Sequence, residues 1–282
     1  MKGLAHSLSA ASLAALLCAS AGCGKGKIDR VEWPVMGTIA AVQVRATSCS
    51  SCPSADVKPI RRVFSSVELK LNAHSPTSEV SRLAPLSEDA VLAGCHAETR
   101  LCYEAAFKLM KASGGAFNPR WRGTNTLDLG AIAKGFAVDV AAERQSPDVD
   151  TLIDLGGNIK SVRGAWKTGV KDPNGDGFAA VVKLREGEAL ATSATYYRGS
   201  HIYDGRTGKP AANNVASVTV LCNSAMWADG LSTTLFVLGP EEGAVFLDKH
   251  LVELVGDQDV AVLWILDDGS QIRRDPSNRF GK

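Results

Sequence analysis

ADGLSTTLFVLGP, residues 228–240, predicts a short helix that begins just before Asp229 and ends at Gly239-Pro240, because glycine followed by proline commonly terminates helices. Asp229 and Thr233 are four residues apart, so their carboxylate and hydroxyl are expected on one helix face. Hard oxygen donors in that arrangement suit Mg²⁺ or Ca²⁺ rather than zinc. Both residues also have ordinary structural uses, since Asp in a first turn stabilises the helix dipole and Thr bonds back to the preceding turn. Taken alone, the segment favours the structural interpretation.

The start of the chain, residues 1–22, is typical of an export signal. Lys2 supplies a positive charge, and residues 8–21 form an apolar run rich in Ala and Leu. That run is shorter than the ~20 residues a membrane-spanning helix needs. The residues that follow resemble a bacterial lipoprotein cleavage site with Cys23 as the lipidated residue. Ser20 departs from the aliphatic residue usual in such sites, so conventional cleavage and a free secreted protein remain an alternative.

Beyond this signal we assign residues 23–30 to a tether and residues 31–282 to a folded domain. The composition is that of a globular protein, and the 31 basic and 30 acidic residues of the full sequence nearly cancel. No basic stripe or basic patch interleaved with aromatic residues occurs, which argues against nucleic acid as a partner.

Five cysteines remain after Cys18 in the signal and the lipidated Cys23: Cys49, Cys52, Cys95, Cys102 and Cys222. In an oxidising periplasm the first four are expected to form two disulfides, whose pairing is left open, and Cys222 a buried thiol. The first three cysteines together with His96 also offer zinc-type ligands. Disulfides are favoured over zinc because export removes the thiols from a reducing compartment.

Hydrophobic periodicity and turn residues predict a mixture of helices and strands. The predicted helices are one capped by Asp56 and two over residues 97–113 and 131–144. The predicted strands cover residues 33–45, 127–130, 151–155 and 215–222, with hairpins over 166–190 (turn at 173–177) and 260–273. Strict βαβ alternation is absent, which predicts an α+β fold.

Several segments, in this order, resemble the FAD:protein FMN transferases, also called the ApbE family. They are MGT at 36–38, SEVSRL at 78–83, LDLGAIAKG at 127–135, LGGNI at 155–159, ATS at 191–193, HIYD at 201–204 with TG at 207–208, and residues 228–239. Each segment is weak alone, but their shared order and spacing over residues 31–275 is specific. The resemblance implies a single T-fold-related domain of mixed, largely antiparallel sheets packed with helices.

The resemblance also implies an activity. Family members bind FAD as substrate with a divalent cation, usually Mg²⁺. They transfer the FMN half to a Ser or Thr hydroxyl of a target protein and release AMP. For this chain the implied acceptor is an exported redox subunit. The implied location is the periplasmic face of a bacterial membrane, to which the protein is attached only by lipid on Cys23.

Individual positions carry over from the family motifs. Asp229 and Thr233 match the metal-binding side chains, and Ala131 matches a position that gives its backbone carbonyl to the metal. His201 matches the histidine implicated in transfer, where it would accept the proton of the acceptor hydroxyl. The positions assigned to FAD are Met36, His74, Phe117, Asp128, Lys134 and Ile202. Without the resemblance, Lys134 would be read as a solvated helix lysine and His201 as a structural residue.

The chain departs from the family pattern mainly on the flavin and adenine side. His74 stands where a stacking Tyr is usual, and residues 118–123 reach the next motif so soon that a cofactor-covering segment is missing. The short loop contains Arg120, Trp121 and Arg122, which either replace lost stacking and charge contacts or are surface residues. In further departures, Ala194-Thr195 stands where the family usually has Gly-Asp, and Ser200 precedes His201. Gly205 follows Asp204 where the family has Pro.

Three functions therefore follow from the sequence, in order of preference. The first is Mg²⁺-dependent transfer of FMN from FAD to a protein hydroxyl. The second is an FAD pyrophosphatase, in which water replaces the protein hydroxyl and the products are FMN and AMP. The third is a flavin-binding lipoprotein without turnover, which the shortened loop favours.

Overall fold

The structure is a computed structural model that describes residues 28–45, 56–145, 149–195 and 202–281. The predicted export signal, Cys23, Cys49, Cys52 and His201 lie outside these residues. The first strand begins at Ile28, inside the stretch assigned above to a tether. Among the described helices, none combines the length and the apolar character needed to cross a membrane.

The main sheet has eight strands in the order β1-β2-β3-β4-β7-β10-β11-β12, and every neighbouring pair is antiparallel. The described strands are β1 Ile28–Val35, β2 Thr38–Arg45, β3 Asp150–Leu155, β4 Asn158–Ser161, β5 Trp166–Lys171, β6 Phe178–Leu184, β7 Ala189–Ala194, β8 Tyr203–Asp204, β9 Lys209–Pro210, β10 Val215–Cys222, β11 Ala261–Leu266 and β12 Gln271–Arg274. The described helices are α1 Lys58–Leu71, α2 Glu79–Leu83, α3 Glu88–Gly94, α4 Arg100–Ala112, α5 Ala133–Ala142 and α6 Ala225–Val255. The predicted α+β fold with antiparallel sheets is confirmed.

Each face of the main sheet is covered by a different layer. Because successive strand residues point to opposite faces, Ile153 and Leu155 of β3 join the helices in one core, whereas Leu152 joins a second core. The second core is closed by the β5–β6 hairpin and by Phe280 near the C-terminus, which is 1% exposed. Helices α5 and α6 pack together on the helical face, where they position the candidate site described below.

The predicted single strand over residues 33–45 is wrong, because this segment contributes to two strands, β1 and β2. Met36 and Gly37 separate them in a two-residue turn with φ values of 51° and 67°. Positive φ at both turn residues is the conformation that matches the twist of a tight hairpin. The Met36 N–H donates to the Glu68 carboxylate on α1 (3.0 Å), which ties the turn to the helical layer.

Helix α6 begins earlier and continues further than predicted. The Ser224 hydroxyl accepts from the Trp227 N–H, and the Asp139 carboxylate on α5 accepts from the N–H groups of Ala225 (3.0 Å) and Met226 (2.9 Å). These contacts satisfy N–H groups that a helix start otherwise leaves unpaired. Gly239 breaks the helix with φ 71° and ψ 179°, but Pro240 opens a second helical segment that runs to Val255.

Other boundaries differ from the sequence prediction. Residues 127–130 form no strand but a turn leading into α5, in which the Leu129 carbonyl accepts from the N–H groups of Ile132 and Ala133. Helix α3 was not predicted. Helix α1, strands β3 and β10, and the two late hairpins are confirmed, although the first hairpin ends at Leu184. The N-cap of α1 is Val57 rather than Asp56, whose carboxylate accepts from the Lys58 N–H.

The described cysteines are buried free thiols, so the prediction of two disulfides is wrong for Cys95 and Cys102. Cys102 lies on the inner side of α4 and has no exposed surface. The Cys95 thiol donates to the Leu92 carbonyl. The predicted buried thiol at Cys222 is confirmed, and burial raises its pKa to about 12. No cluster of three or more His, Cys, Asp or Glu residues suited to a metal occurs within the described residues.

A buried carboxyl on β3 makes stability depend on pH. Burial raises the pKa of Asp154 from 3.8 to about 6, although the Gly157 N–H donates to it. The pKa of Asp154 is higher in the folded protein than in the unfolded chain. Its contribution to the free energy of unfolding is therefore fully present below about pH 4 and is lost as the pH rises through about 6.

Asp154→Asn keeps the acceptor for Gly157 and removes the charge. We expect the variant to be more stable than the original chain at pH 8 by roughly 1–3 kcal/mol, since each pKa unit corresponds to about 1.4 kcal/mol. The two proteins should converge at pH 4. Urea unfolding at both pH values measures the difference, and equal midpoints at pH 8 would contradict this assignment.

Candidate functional site

The candidate site lies where the start of α5 meets the first half of α6, beside the end of β7. The two helices touch at Gly135, where a Cβ atom would lie 2.1 Å from the Ala225 carbonyl oxygen and 2.8 Å from the Asp229 Cβ. Only a glycine permits this approach. The close contact brings the turn at residues 128–131 to the Asp229 side chain.

Asp229 is a buried carboxylate with few partners. It is 5% exposed, and its Oδ2 accepts from the Gly135 N–H at 3.0 Å. The Lys134 ammonium lies 3.4–3.5 Å from both carboxylate oxygens and also donates to the Gly130 carbonyl at 3.1 Å. Burial raises the pKa of Asp229, while the Lys134 charge and the Gly135 N–H act in the opposite direction. A further cation beside this carboxylate would offset its desolvation.

Ala131 presents a backbone oxygen in the same turn. In a regular helix the Gly135 N–H would donate to the Ala131 carbonyl, but here it donates to Asp229. Within the part of the chain that the structure describes, no other group donates to that carbonyl. The Ala131 carbonyl therefore retains its capacity to bind a cation.

Three hydroxyl groups cluster near Asp229, where the end of β7 meets α6. The Ser193 Oγ at the end of β7 lies 2.9 Å from the Ser232 Oγ and 3.0 Å from the Thr233 Oγ1. The Ser232 hydroxyl also lies 2.9 Å from the Asp229 carbonyl, to which it donates. Asp229, Ser232 and Thr233 occupy positions i, i+3 and i+4 of one helix face. Ser193 and Ser232 were not assigned roles from the sequence, although the i+3 spacing places Ser232 on the same face as Asp229.

These donors fit a hard divalent cation. A buried carboxylate, a hydroxyl one helical turn later and an unbonded carbonyl are the oxygen ligands that Mg²⁺ prefers. Asp229, Thr233 and Ala131 are the residues that would hold the ion. Lys134, which contacts Asp229, adds a positive charge at the same place.

Asp128 and Lys134, both assigned to FAD from the sequence, lie before and after Ala131 in the chain. The Asp128 Oδ1 accepts from the Gly130 N–H at 2.9 Å, and its Oδ2 lies 3.6 Å from the Arg122 guanidinium. Asp128 thereby shapes the turn that carries Ala131, while a part of its side chain stays exposed.

The other positions assigned to FAD have different surroundings. Phe117 and Ile202 are 3% and 7% exposed and belong to the helical core. Met36 is half-buried in the β1–β2 turn, and His74 is exposed in the loop after α1. Their contacts with FAD, and the role of His201 outside the described residues, remain predictions.

The short loop after Phe117 separates into structural and exposed parts. The Arg120 guanidinium donates to the carbonyl groups of Ala84, Leu86, Thr124 and Thr126 at 2.6–3.1 Å, so it holds loops together. The sequence suggested that Arg120 either replaces lost contacts with the cofactor or is a surface residue. Its structural role in joining loops is neither of these. Trp121 instead stacks on Tyr203, with ring centroids 4.0 Å apart.

An open cleft of about 520 Å³ lies elsewhere, between the end of α4 and the second half of α6. Charged residues such as Arg206, Glu242 and Lys249 line it, and Arg206 is already paired with Asp204 and Glu242. Among the described residues, none of those predicted to form the site lines this cleft. The chemistry of the donors, rather than the size of the cavity, therefore identifies the candidate site.

Ser193→Ala tests the hydroxyl cluster. Losing one hydroxyl leaves Thr233 and Ser232 with one partner fewer, and a hydrogen bond contributes about 0.5–1.5 kcal/mol. We expect Mg²⁺ affinity in the presence of ADP to fall by roughly 3–10-fold in calorimetric titration. Thr192→Ala is the matched control, because the Thr192 hydroxyl bonds to Thr219 on β10 rather than to α6. An unchanged Mg²⁺ affinity in Ser193→Ala would contradict a positioning role for that hydroxyl.

The described residues form an antiparallel α+β fold with a cluster of oxygen donors of the kind that a divalent cation prefers. Residues 121–255 match the model of the ApbE family, and this segment contains every donor described above.

Part of the chain also matches curated relatives named FAD:protein FMN transferase. The relative from Klebsiella pneumoniae is 39% identical over 135 residues, which are 44% of this chain and 42% of the relative. The relative from Vibrio cholerae is 36% identical over 146 residues, or 46% and 43% of the two chains. The alignments thus span less than half the length of these relatives.

Solved structures extend the likeness in fold to nearly the whole chain. The flavin transferase ApbE from Vibrio cholerae is 22% identical, with a TM-score of 0.69, over 89% of this chain and 98% of that one. The apo flavinyl transferase ApbE from Pseudomonas stutzeri is 21% identical, with a TM-score of 0.73, over 93% and 99%. At this identity the likeness shows a shared fold.

Proposed function

We propose that the chain transfers FMN from FAD to a Ser or Thr hydroxyl of a protein, with Mg²⁺ as the cation and AMP as the second product. The observation that carries this proposal is the buried Asp229 carboxylate beside Lys134 and the unbonded Ala131 carbonyl. These residues lie in the segment that matches the ApbE family, whose relatives carry the same activity in their names.

The chain's own groups would act on the pyrophosphate of FAD. Asp229, Thr233 and the Ala131 carbonyl would hold the cation, and Lys134 would place a positive charge beside the phosphates. When bound, Mg²⁺ neutralises phosphate charge and aligns the reacting oxygens. The turn held by Asp128 presents backbone groups at the start of α5, which is a favourable place for phosphate.

The fate of the FMN group depends on the nucleophile. In the proposed transfer, the acceptor hydroxyl attacks the FMN phosphorus, the bond to AMP breaks, and His201 accepts the hydroxyl proton. With water as nucleophile the same site would release FMN and AMP. We also propose an exported redox subunit as acceptor and a periplasmic location with lipid on Cys23. The sequence of residues 1–23 supports that location.

Product analysis tests the proposal. Purified protein is incubated with FAD, Mg²⁺ and a threonine-containing domain of an exported redox protein, and the products are separated by chromatography and mass spectrometry. We expect AMP together with an acceptor whose mass has increased by one FMN, and no reaction in EDTA. AMP with free FMN would indicate the pyrophosphatase, and intact FAD bound to the protein would contradict both enzymatic functions.

A further inference from the structure

Three side chains form a stack beside the candidate site. The rings of Trp121 and Tyr203 are 4.0 Å apart and inclined by 16°. The Arg122 guanidinium lies 4.4 Å from the Trp121 ring centroid. Two groups this close to one ring must lie on opposite faces, so Tyr203 covers one face of Trp121 and Arg122 the other.

A close backbone contact fixes the position of the Trp121 ring. A Cβ at Gly205 would lie 2.2 Å from the Asn118 Cβ and 2.5 Å from the Gly115 carbonyl oxygen. The Gly205 N–H donates to the Ala116 carbonyl, and the Asn118 side chain donates to the Gly205 carbonyl. The glycine at 205, where the family has proline, therefore lets the shortened loop dock against β8 and sets Trp121 on Tyr203.

A continuous series of contacts joins the stack to Asp229. Arg122 pairs with Asp128, and Asp128 accepts from the Gly130 N–H. The Gly130 carbonyl accepts from Lys134, which contacts Asp229. The stack is thus joined through the turn at residues 128–131 to Lys134 and Asp229, the groups proposed to act at the phosphates.

We propose that the Trp121–Tyr203 pair is the platform on which a planar heteroaromatic ring of the dinucleotide stacks. The ring binds the Trp121 face that Arg122 now covers. This inference rests on the proposed function and deepens it, because it names the residues of this chain that recognise the ring. It also accounts for a loop too short to cover the substrate in the usual way.

The cover on Trp121 is of a kind that a ligand can replace. The Arg122 side chain is 42% exposed, and its 3.6 Å ion pair with Asp128 is long. Exposed ion pairs of this kind contribute little to stability. A flat aromatic ring presents a larger stacking surface to an indole than a guanidinium does, so it displaces Arg122 at small cost.

Fluorescence and calorimetric titrations test the platform, with FAD, FMN and ADP as probes in the presence of Mg²⁺. We expect FAD to quench Trp121 fluorescence and Trp121→Leu to weaken FAD binding roughly tenfold or more, as loss of base stacking commonly does. Trp121→Phe should retain most of the affinity, and Arg122→Ala should not weaken it. Trp166→Phe, in the second core on the other face of the sheet, is the control and should bind as the original chain does.

The probes distinguish the two rings of the substrate. A loss of FMN affinity in Trp121→Leu assigns the platform to the flavin ring, and a loss of ADP affinity assigns it to adenine. If Trp121→Leu and the original chain bind FAD equally well, the platform is only structural and the inference is wrong, while the proposed function stands. If the original chain binds no FAD with Mg²⁺, both fall. Trp121→Phe keeps an aromatic ring, so it separates a loss of stacking from misfolding of Trp121→Leu. If Trp121→Phe bound FAD as weakly as Trp121→Leu does, ring stacking would also be contradicted.

Discussion

Asp229→Asn is expected to lower the release of AMP from FAD by roughly 10³-fold, the size of effect produced by losing a preorganised charged group at a reacting phosphate. The amide keeps the size of the side chain and can still accept from the Gly135 N–H. It removes the negative charge that holds a cation and that pairs with Lys134. Steady-state measurement of AMP by chromatography at saturating Mg²⁺ gives the result.

The matched control is Asp248→Asn, on the same helix. Asp248 is 72% exposed and pairs with Arg274 at the surface. Its loss should leave turnover unchanged, because exposed ion pairs contribute little. Turnover in Asp229→Asn within tenfold of the original chain would mean that this carboxylate does not hold the cation.

Gly135→Ala is expected to destabilise the fold by about 3 kcal/mol or more, at the upper end of what overpacking costs. The added Cβ would lie 2.1 Å from the Ala225 carbonyl oxygen, so α5 and α6 must separate. Their separation would also pull the Gly135 N–H away from Asp229 and loosen the site. The free energy of unfolding in urea measures the loss.

Gly177→Ala is the control for this substitution. Gly177 lies in the β5–β6 turn, and a Cβ there would meet nothing within 4 Å. The control should change stability by less than about 1 kcal/mol. If Gly135→Ala is as stable as Gly177→Ala, the two helices do not meet as closely as described.

Local patterns predicted the elements whose signals are contained within a few residues. Strand β3, the β5–β6 hairpin with its Pro-Asn-Gly turn and the β11–β12 hairpin all follow from alternation and turn residues. The i, i+4 spacing likewise placed Asp229 and Thr233 on one face of a helix, which the structure confirms.

Contacts between distant parts of the chain account for what the sequence did not predict. The start of α6 at Ala225 depends on a cap from Asp139, more than eighty residues earlier. The lack of a strand at residues 127–130 depends on a turn that Asp128 and Leu129 hold with their own hydrogen bonds. The role of Gly205 is visible only once Asn118 is known to lie against it.

The most direct test of the account is a crystal structure with FAD and Mn²⁺, in which anomalous scattering locates the cation. We expect one strong peak about 2 Å from an Asp229 carboxylate oxygen, the Thr233 Oγ1 and the Ala131 carbonyl oxygen. The same peak should contact the pyrophosphate of FAD. A peak elsewhere, or bound FAD with no cation between these three oxygens, would contradict the account.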